Sequence, residues 1–294
     1  MDLNQIAADI SSATGEPFQI DHHSSIGGGC INSAYRVEGN GQAYFIKLNR
    51  ADMLDMFIAE AEGLDEMANA VAIRVPRPVC TGTSRGQSWI AMEYLEFGAG
   101  SKGVMVEFAR QLAALHRHSQ AQFGWHRDNT IGSTQQPNEQ TTDWPDFWRQ
   151  HRLGYQLELA TRRGASGRML RNGEKLMTQL DDFFTDYQPV ASLLHGDLWS
   201  GNYAISAAGE PVIFDPAVYY GDREADLAMT ELFGGFGGDF YAAYNEAWRL
   251  DHGYQIRKTL YNLYHILNHY NMFGGGYGSQ AETMIEQLLS EVHA

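Results

Sequence analysis

Cysteine is scarce in this chain: Cys30 and Cys80 are the only two, too few and too widely separated for a disulfide framework or a cysteine-based zinc site. A reducing compartment would keep both as thiols. Long apolar runs are also missing, and no stretch approaches the roughly 18 residues that a membrane-spanning helix needs. The segment from Met1 to Ser12 contains acidic residues and no extended apolar core, unlike a secretory signal. Together these absences point to the cytoplasm. Positive charge is short as well, with 21 Lys and Arg against 36 Asp and Glu and a formal net charge of −15. Nucleic acid and anionic membrane surfaces require a concentrated positive field, so neither is an expected partner. A phosphate pocket is still compatible with an acidic molecule, because a few backbone N–H groups and one lysine neutralise phosphate at short range.

What is present is a large apolar fraction: 44% hydrophobic and 12% aromatic residues, ample for a packed interior. At 294 residues the chain exceeds the usual single core, and two lobes are expected. Ser24 to Asn49 reads as antiparallel strands with glycine turns. Met53 to Met67 places apolar residues at helical spacing, with Glu60 on the apolar face and Glu62 off it. After Val75-Pro76-Arg77-Pro78, Ser88 to Leu95 reads as a buried strand, and Gly98 to Ser101 as a flexible connector. The boundary is accordingly drawn between an N-terminal lobe, 1–97, and a C-terminal lobe, 98–294. Helical periodicity returns over Val104 to His118, most of Asp146 to Ala160, Ile256 to Phe273 and Ala281 to His293. The fold class expected is α+β, with a small β-rich N-lobe and a larger, mainly helical C-lobe.

The chemistry is concentrated in His195-Gly196-Asp197-Leu198-Trp199-Ser200-Gly201-Asn202. Asp197 and Asn202 have the spacing of the protein-kinase pattern H-R-D-x-x-x-x-N, in which Asp contacts the nucleophile and Asn holds metal. Asp215 ends the apolar run Val212-Ile213-Phe214, so a strand would aim a hard oxygen ligand for Mg²⁺. Singly, these residues would read as an Asx turn and a strand terminator; order and spacing together favour phosphoryl transfer. Lys47, inside Tyr44-Phe45-Ile46-Lys47-Leu48, would be costly in a strand interior unless paired, and Glu60 is the natural partner. Such a pair would hold the lysine at the α and β phosphates of ATP. The glycines around Gly28 and Gly29 would admit phosphate close to the backbone; taken alone such a run is more often a plain hairpin turn, and Lys47 strengthens the phosphate reading. Adenine would meet backbone groups of Met92, Glu93, Tyr94 and Leu95.

The run from His195 to Asn202, Ile213-Phe214-Asp215-Pro216 and Tyr220 to Ala228 resembles the fructosamine kinase family, also called ketosamine-3-kinases. So do Gly27 to Asn32, Phe45 to Asn49, Phe123-Gly124-Trp125 with Asn129 to Asn138, and the segment from Arg152 to Ala160. The likeness covers nearly the whole chain. The resemblance implies the aminoglycoside-phosphotransferase branch of the protein-kinase-like fold, and phosphorylation of the third-carbon hydroxyl of sugars joined to amines, which begins deglycation. Substrates would be ribulosamines or fructosamines on lysine or proteins, with ATP and Mg²⁺ as cofactors. Asp197 would be the proton acceptor, Asn202 and Asp215 the Mg²⁺ ligands, and Asp226 a brace for the catalytic loop. Trp199 is the candidate face for the acceptor sugar or its amine, with a core role as the alternative. Asn129 is a second candidate, against a loop-capping role. A thiol at Cys30 in the glycine-rich loop would suit a redox switch, or be a reduced, uninvolved residue. Competing readings keep the kinase with another hydroxylated amine as acceptor, an aminoglycoside or choline, or make the chain a nucleotide-binding pseudokinase.

Overall fold

The computed structural model describes residues 1–27, 31–101 and 103–292. Two compact units divide the chain: Met1–Val104 with Tyr203–Pro216, and Met105–Asn202 with Ala217–Ala294.

The first unit is built on a five-stranded antiparallel sheet. In chain order its strands are β1 (His22–Ile26), β2 (Ser33–Gly39), β3 (Gln42–Arg50), β4 (Pro78–Ser84) and β5 (Gln87–Glu93), arranged β1-β2-β3-β5-β4. Two tight turns set the register. Asn40-Gly41 joins β2 to β3 and Arg85-Gly86 joins β4 to β5, all four at positive φ, the backbone that matches the twist of paired strands. Helix α1 (Leu3–Thr14) covers one sheet face, burying Ile6, Ala7 and Ile10 among Phe18, Val37, Ile46, Leu48 and Trp89. No helix was anticipated here. Helix α2 (Leu54–Asn69) was, and it buries Phe57, Leu64 and Met67 as its periodicity requires.

A late segment completes this unit. The hairpin of Tyr203–Ile205 and Pro211–Ile213 is tied in by backbone bonds: Gly98 N–H to the Ile205 carbonyl (2.8 Å), Ala207 N–H to that of Glu96 (2.7 Å) and Ile213 N–H to that of Arg74 (3.1 Å). Phe97 stacks on Phe214 at 5.7 Å. These bonds explain why the first unit runs past the boundary expected after residue 97 and reclaims 203–216.

The second unit is mainly helical: α3 (Val104–His116), α4 (Trp144–Trp148), α5 (Tyr155–Arg162), α6 (Gly167–Thr178), α7 (Glu224–Leu232), α8 (Gly238–Ala247), α9 (Tyr254–Phe273) and α10 (Tyr277–Glu291). Of these, α6, α7 and α8 were not anticipated. The 20-residue α9 is the spine, packed by α5, α7 and α10, and Tyr261 and Tyr264 on it meet Trp148. The helix expected over Asp146 to Ala160 is interrupted by a π turn, Arg149–Gly154. Two short antiparallel pairs, Ser192–Leu194 with Tyr219–Gly221 and Asn129–Ile131 with Thr134–Gln136, carry the polar loops. No described helix is long and apolar enough to cross a membrane.

Candidate active site

In the first unit, β3 and α2 bring Lys47 and Glu60 together as their pattern requires. Lys47 is 6% exposed, and its ammonium donates to Glu60 and, at 2.7 Å, to Asp215 Oδ1. Burial alone would depress the lysine, but Asp215 and then Glu60 outweigh it and raise its pKa, so the cation is permanent. Burial pushes the Glu60 carboxyl up, with Lys47 opposing. Asp215 follows the strand Pro211–Ile213 with φ +58°, a left-handed conformation that Asp tolerates better than most residues. The turn swings its carboxylate out of the strand line, and the side chain is exposed.

The segment 92–95 is fixed from behind. Met92 is buried, and the Glu93 carboxylate accepts from Arg74 and from Arg77 N–H, both at 2.6 Å. Glu93 N–H is spent on the Arg77 carbonyl (2.9 Å), and the Arg36 guanidinium lies over the Tyr94 ring at 4.5 Å. The Glu93 side chain therefore braces the segment. Gly28, Gly29 and Cys30 lie outside the described residues.

In the second unit, the strand Ser192–Leu194 delivers the loop 195–202. Asp226, on α7, accepts from His195 N–H (2.7 Å) and Gly196 N–H (2.8 Å). Gly196 has φ +81°, and a Cβ there would stand 2.0 Å from the Ala217 carbonyl oxygen, so only glycine fits. Leu198 is buried and pins the loop, while Asp197 remains partly exposed. Asn202 Nδ2 donates to the Asp197 carbonyl at 2.9 Å and reaches its Oδ2 at 3.4 Å. Trp199 is half-buried, with its ring folded over Gly201 and its edge toward Phe233 at 6.2 Å.

Asn129 is 7% exposed and engaged within the unit. Its Nδ2 donates to the Val218 carbonyl (2.7 Å), and its Oδ1 accepts from Gln136 and Asn138. That geometry matches the loop-bracing alternative. Among the described residues no cluster of three His, Cys, Asp or Glu side chains forms a metal centre.

A lysine shared by two carboxylates and a braced H-G-D loop carrying Asn five residues on are the parts of a phosphotransferase. A model of the fructosamine kinase family matches residues 2–291. The chain belongs to the fructosamine kinase family. It is 53% identical over 285 residues to a Synechocystis protein named "Probable ketoamine kinase slr1563", covering 97% of this chain and 96% of that one. The chloroplastic protein-ribulosamine 3-kinase of Oryza sativa subsp. japonica is 44% identical over 283 residues, 95% of this chain and 82% of the relative. A solved structure from Haemophilus somnus 129PT, described as a candidate fructosamine-3-kinase, superposes with a TM-score of 0.89 at 30% identity, covering 97% and 96% of the two chains. The fold alone extends to the aminoglycoside phosphotransferase APH(4)-Ia, with a TM-score of 0.61 at 15% identity over 97% and 98%.

This kinase also has buried polar residues that motif spacing does not reveal. Arg152, fully buried in the π turn, donates to the Pro137 carbonyl (2.7 Å) and to Asn138 Oδ1 (2.9 Å), with its guanidinium 4.0 Å from the Tyr219 ring centroid. Through Asn138, Asn129 and Gln136 it supports the carbonyls of Ala217 and Val218. His116 is also fully buried and reaches Asp226 at 3.2 Å. No motif spacing marks this histidine; its carboxylate partner sets it apart.

Proposed function

We propose that this protein is an ATP-dependent kinase that phosphorylates the 3-hydroxyl of ketosamines, the amine adducts of ribulose and fructose, and so starts their removal. The observation that carries the reading is Lys47, a buried permanent cation between Glu60 and Asp215, placed to neutralise the α and β phosphates. Asp197 takes the proton of the acceptor hydroxyl as its oxygen attacks the γ-phosphorus. The new O–P bond replaces the bond to the β–γ bridging oxygen, and ADP leaves. Asn202 and Asp215 are oxygen donors of the hard type that suits Mg²⁺, which usually takes one or two protein ligands beside phosphate and water. When bound, Mg²⁺ supplies charge neutralisation at the β and γ oxygens. Main-chain groups of 92–95 receive adenine, Trp199 faces the sugar or its amine, and Gly28 and Gly29 complete the phosphate cover. We place the reaction in the cytoplasm, where ATP is supplied. Kinship with the rice ribulosamine 3-kinase supports the acceptor class.

The test is incubation with Mg-ATP and, separately, ribulosyl-lysine, fructosyl-lysine, choline and kanamycin, following phosphorylated product. Turnover of a ketosamine is expected. Turnover of choline or kanamycin alone would overturn the acceptor, and binding of ATP without transfer to any of them would favour a pseudokinase. Asp197→Asn should keep nucleotide affinity and lose most turnover, because proton acceptance goes while the ATP contacts remain.

A further inference from the structure

Arg152 is buried in the second unit with no carboxylate paired to it among the described residues. Its donors go to the Pro137 (2.7 Å) and His151 (2.9 Å) carbonyls and to Asn138 Oδ1 (2.9 Å), and its Nε has no hydrogen-bond partner. A cation out of water is costly without a counter-charge, and primary amides are costly unless each is satisfied; Asn129, Gln136 and Asn138 are buried with it. The Ala217 and Val218 carbonyls can only accept, and they fix the direction of the bonds in this node. Asn129 Nδ2 donates to the Val218 carbonyl (2.7 Å), and its Oδ1 accepts from Gln136 Nε2 (2.8 Å) and Asn138 Nδ2 (2.9 Å). Gln136 Nε2 also donates to the Ala217 carbonyl (3.1 Å), which turns its Oε1 to the Tyr264 hydroxyl at 2.7 Å. Burial, with Arg152 opposing, pushes that phenol up, and Asp197 pushes it further, so the hydroxyl keeps its proton and donates.

What rests on the node is the catalytic loop. Ala217 N–H donates to the His195 carbonyl (2.8 Å), and the Ala217 oxygen occupies the place that a Cβ of Gly196 would take. Asp226 grips the N–H groups of His195 and Gly196; the His195 carbonyl is held from the other side, by Ala217. We propose that Gln136 and Tyr264 are positioning residues for phosphoryl transfer: they set the Ala217 carbonyl, the carbonyl seats Gly196, and the seat aims the adjoining Asp197 at the acceptor hydroxyl. Arg152, through Asn138 and Asn129, anchors the same platform at Val218. The inference rests on the role given to Asp197 and is independent of which acceptor is used.

Gln136→Met keeps the length of the side chain and removes its donor, leaving the buried Ala217 carbonyl unsatisfied; Tyr264→Phe removes only the hydroxyl. We expect Gln136→Met to lower kcat on the order of tenfold with KM for Mg-ATP within about twofold, and Tyr264→Phe to lower kcat by a smaller factor. In the double variant kcat should match that of Gln136→Met alone, because the hydroxyl acts through the amide. Amide hydrogen exchange over residues 195–199 should quicken in Gln136→Met while α9 exchanges at the wild-type rate. An unchanged kcat, a loss confined to KM, or losses that multiply in the double variant would overturn the proposal. So would exchange that quickens equally in the loop and in α9, the mark of a general loosening. Should wild-type enzyme transfer phosphate to no ketosamine, the acceptor assignment fails, and the same variants are compared by their ATP hydrolysis.

Discussion

At the scale of single residues, the ATP side of this kinase turns on a lysine with two carboxylate partners. Glu60 was legible because a carboxylate on an apolar helical stripe has to be paired. The Asp215 contact, 168 residues away in sequence, was not, because no periodicity encodes so distant a pairing. The double partnership ranks two substitutions. Lys47→Met removes the cation from both acids, and turnover should fall by about a hundredfold or more, the scale expected for losing a charged group that faces the transferred phosphates. Glu60→Gln leaves Asp215 holding the ammonium, so the main effect should be a higher KM for ATP with a smaller loss in kcat. Steady-state kinetics on the two variants check this, and a reversed order would mean that Glu60 is the principal anchor. Asn129 shows the limit of reading residues singly: a polar side chain in a glycine-containing loop looks available for substrate, yet its neighbours Gln136 and Asn138 consume it.

At the scale of elements, strands and long helices were legible because their side-chain period is regular, and β3, β5, α2, α3 and α9 lie close to where apolar spacing put them. Helix α1 has the spacing too, at Leu3, Ile6, Ala7 and Ile10, over only three turns. The π turn Arg149–Gly154 is invisible to a 3.6-residue period, since it arises where one turn is widened. Its sequence cue is Gly154: a Cβ there would stand 2.5 Å from the Arg149 carbonyl oxygen. Gly154→Ala should therefore cost about 1–3 kcal/mol in unfolding free energy, read from urea denaturation, and disturb the placing of Arg152. A wild-type midpoint would mean that the turn relaxes to a regular helix at no cost.

At the scale of the whole molecule, the two-unit, α+β organisation was legible from the change of pattern along the chain, but the return of 203–216 to the first unit was not, because only tertiary hydrogen bonds define it. Stability against acid is a molecular property with an identifiable source. His265 is buried, and burial, helped by His269, pulls its pKa down to about 3; burial lowers His116 as well. Below the ordinary histidine range near pH 6.5 the unfolded chain takes up protons that the folded chain refuses. The stability these residues contribute is therefore complete above that pH and drains away as pH falls, for His265 down to about 3, at up to about 1.4 kcal/mol per pH unit for each histidine. Urea midpoints measured from pH 7 to 4 should fall, and His265→Gln should make the decline shallower; a parallel decline in the variant would place the sensitivity elsewhere.

The late hairpin also has a consequence for synthesis. A ribosome releasing residues in order at about 5–20 per second delivers the five-stranded sheet early, whereas the carboxylate that completes the lysine's surroundings emerges only after α3 to α6 and the loop of Asp197. The first unit cannot finish before much of the second has been made. A nascent chain halted near Val104 would leave the backbone at Arg74 and Phe97, which lie beside the sheet, without the bridges that the hairpin supplies at Val212 and Ser206, and chaperones or premature pairing with another chain would compete there until Pro216 arrives.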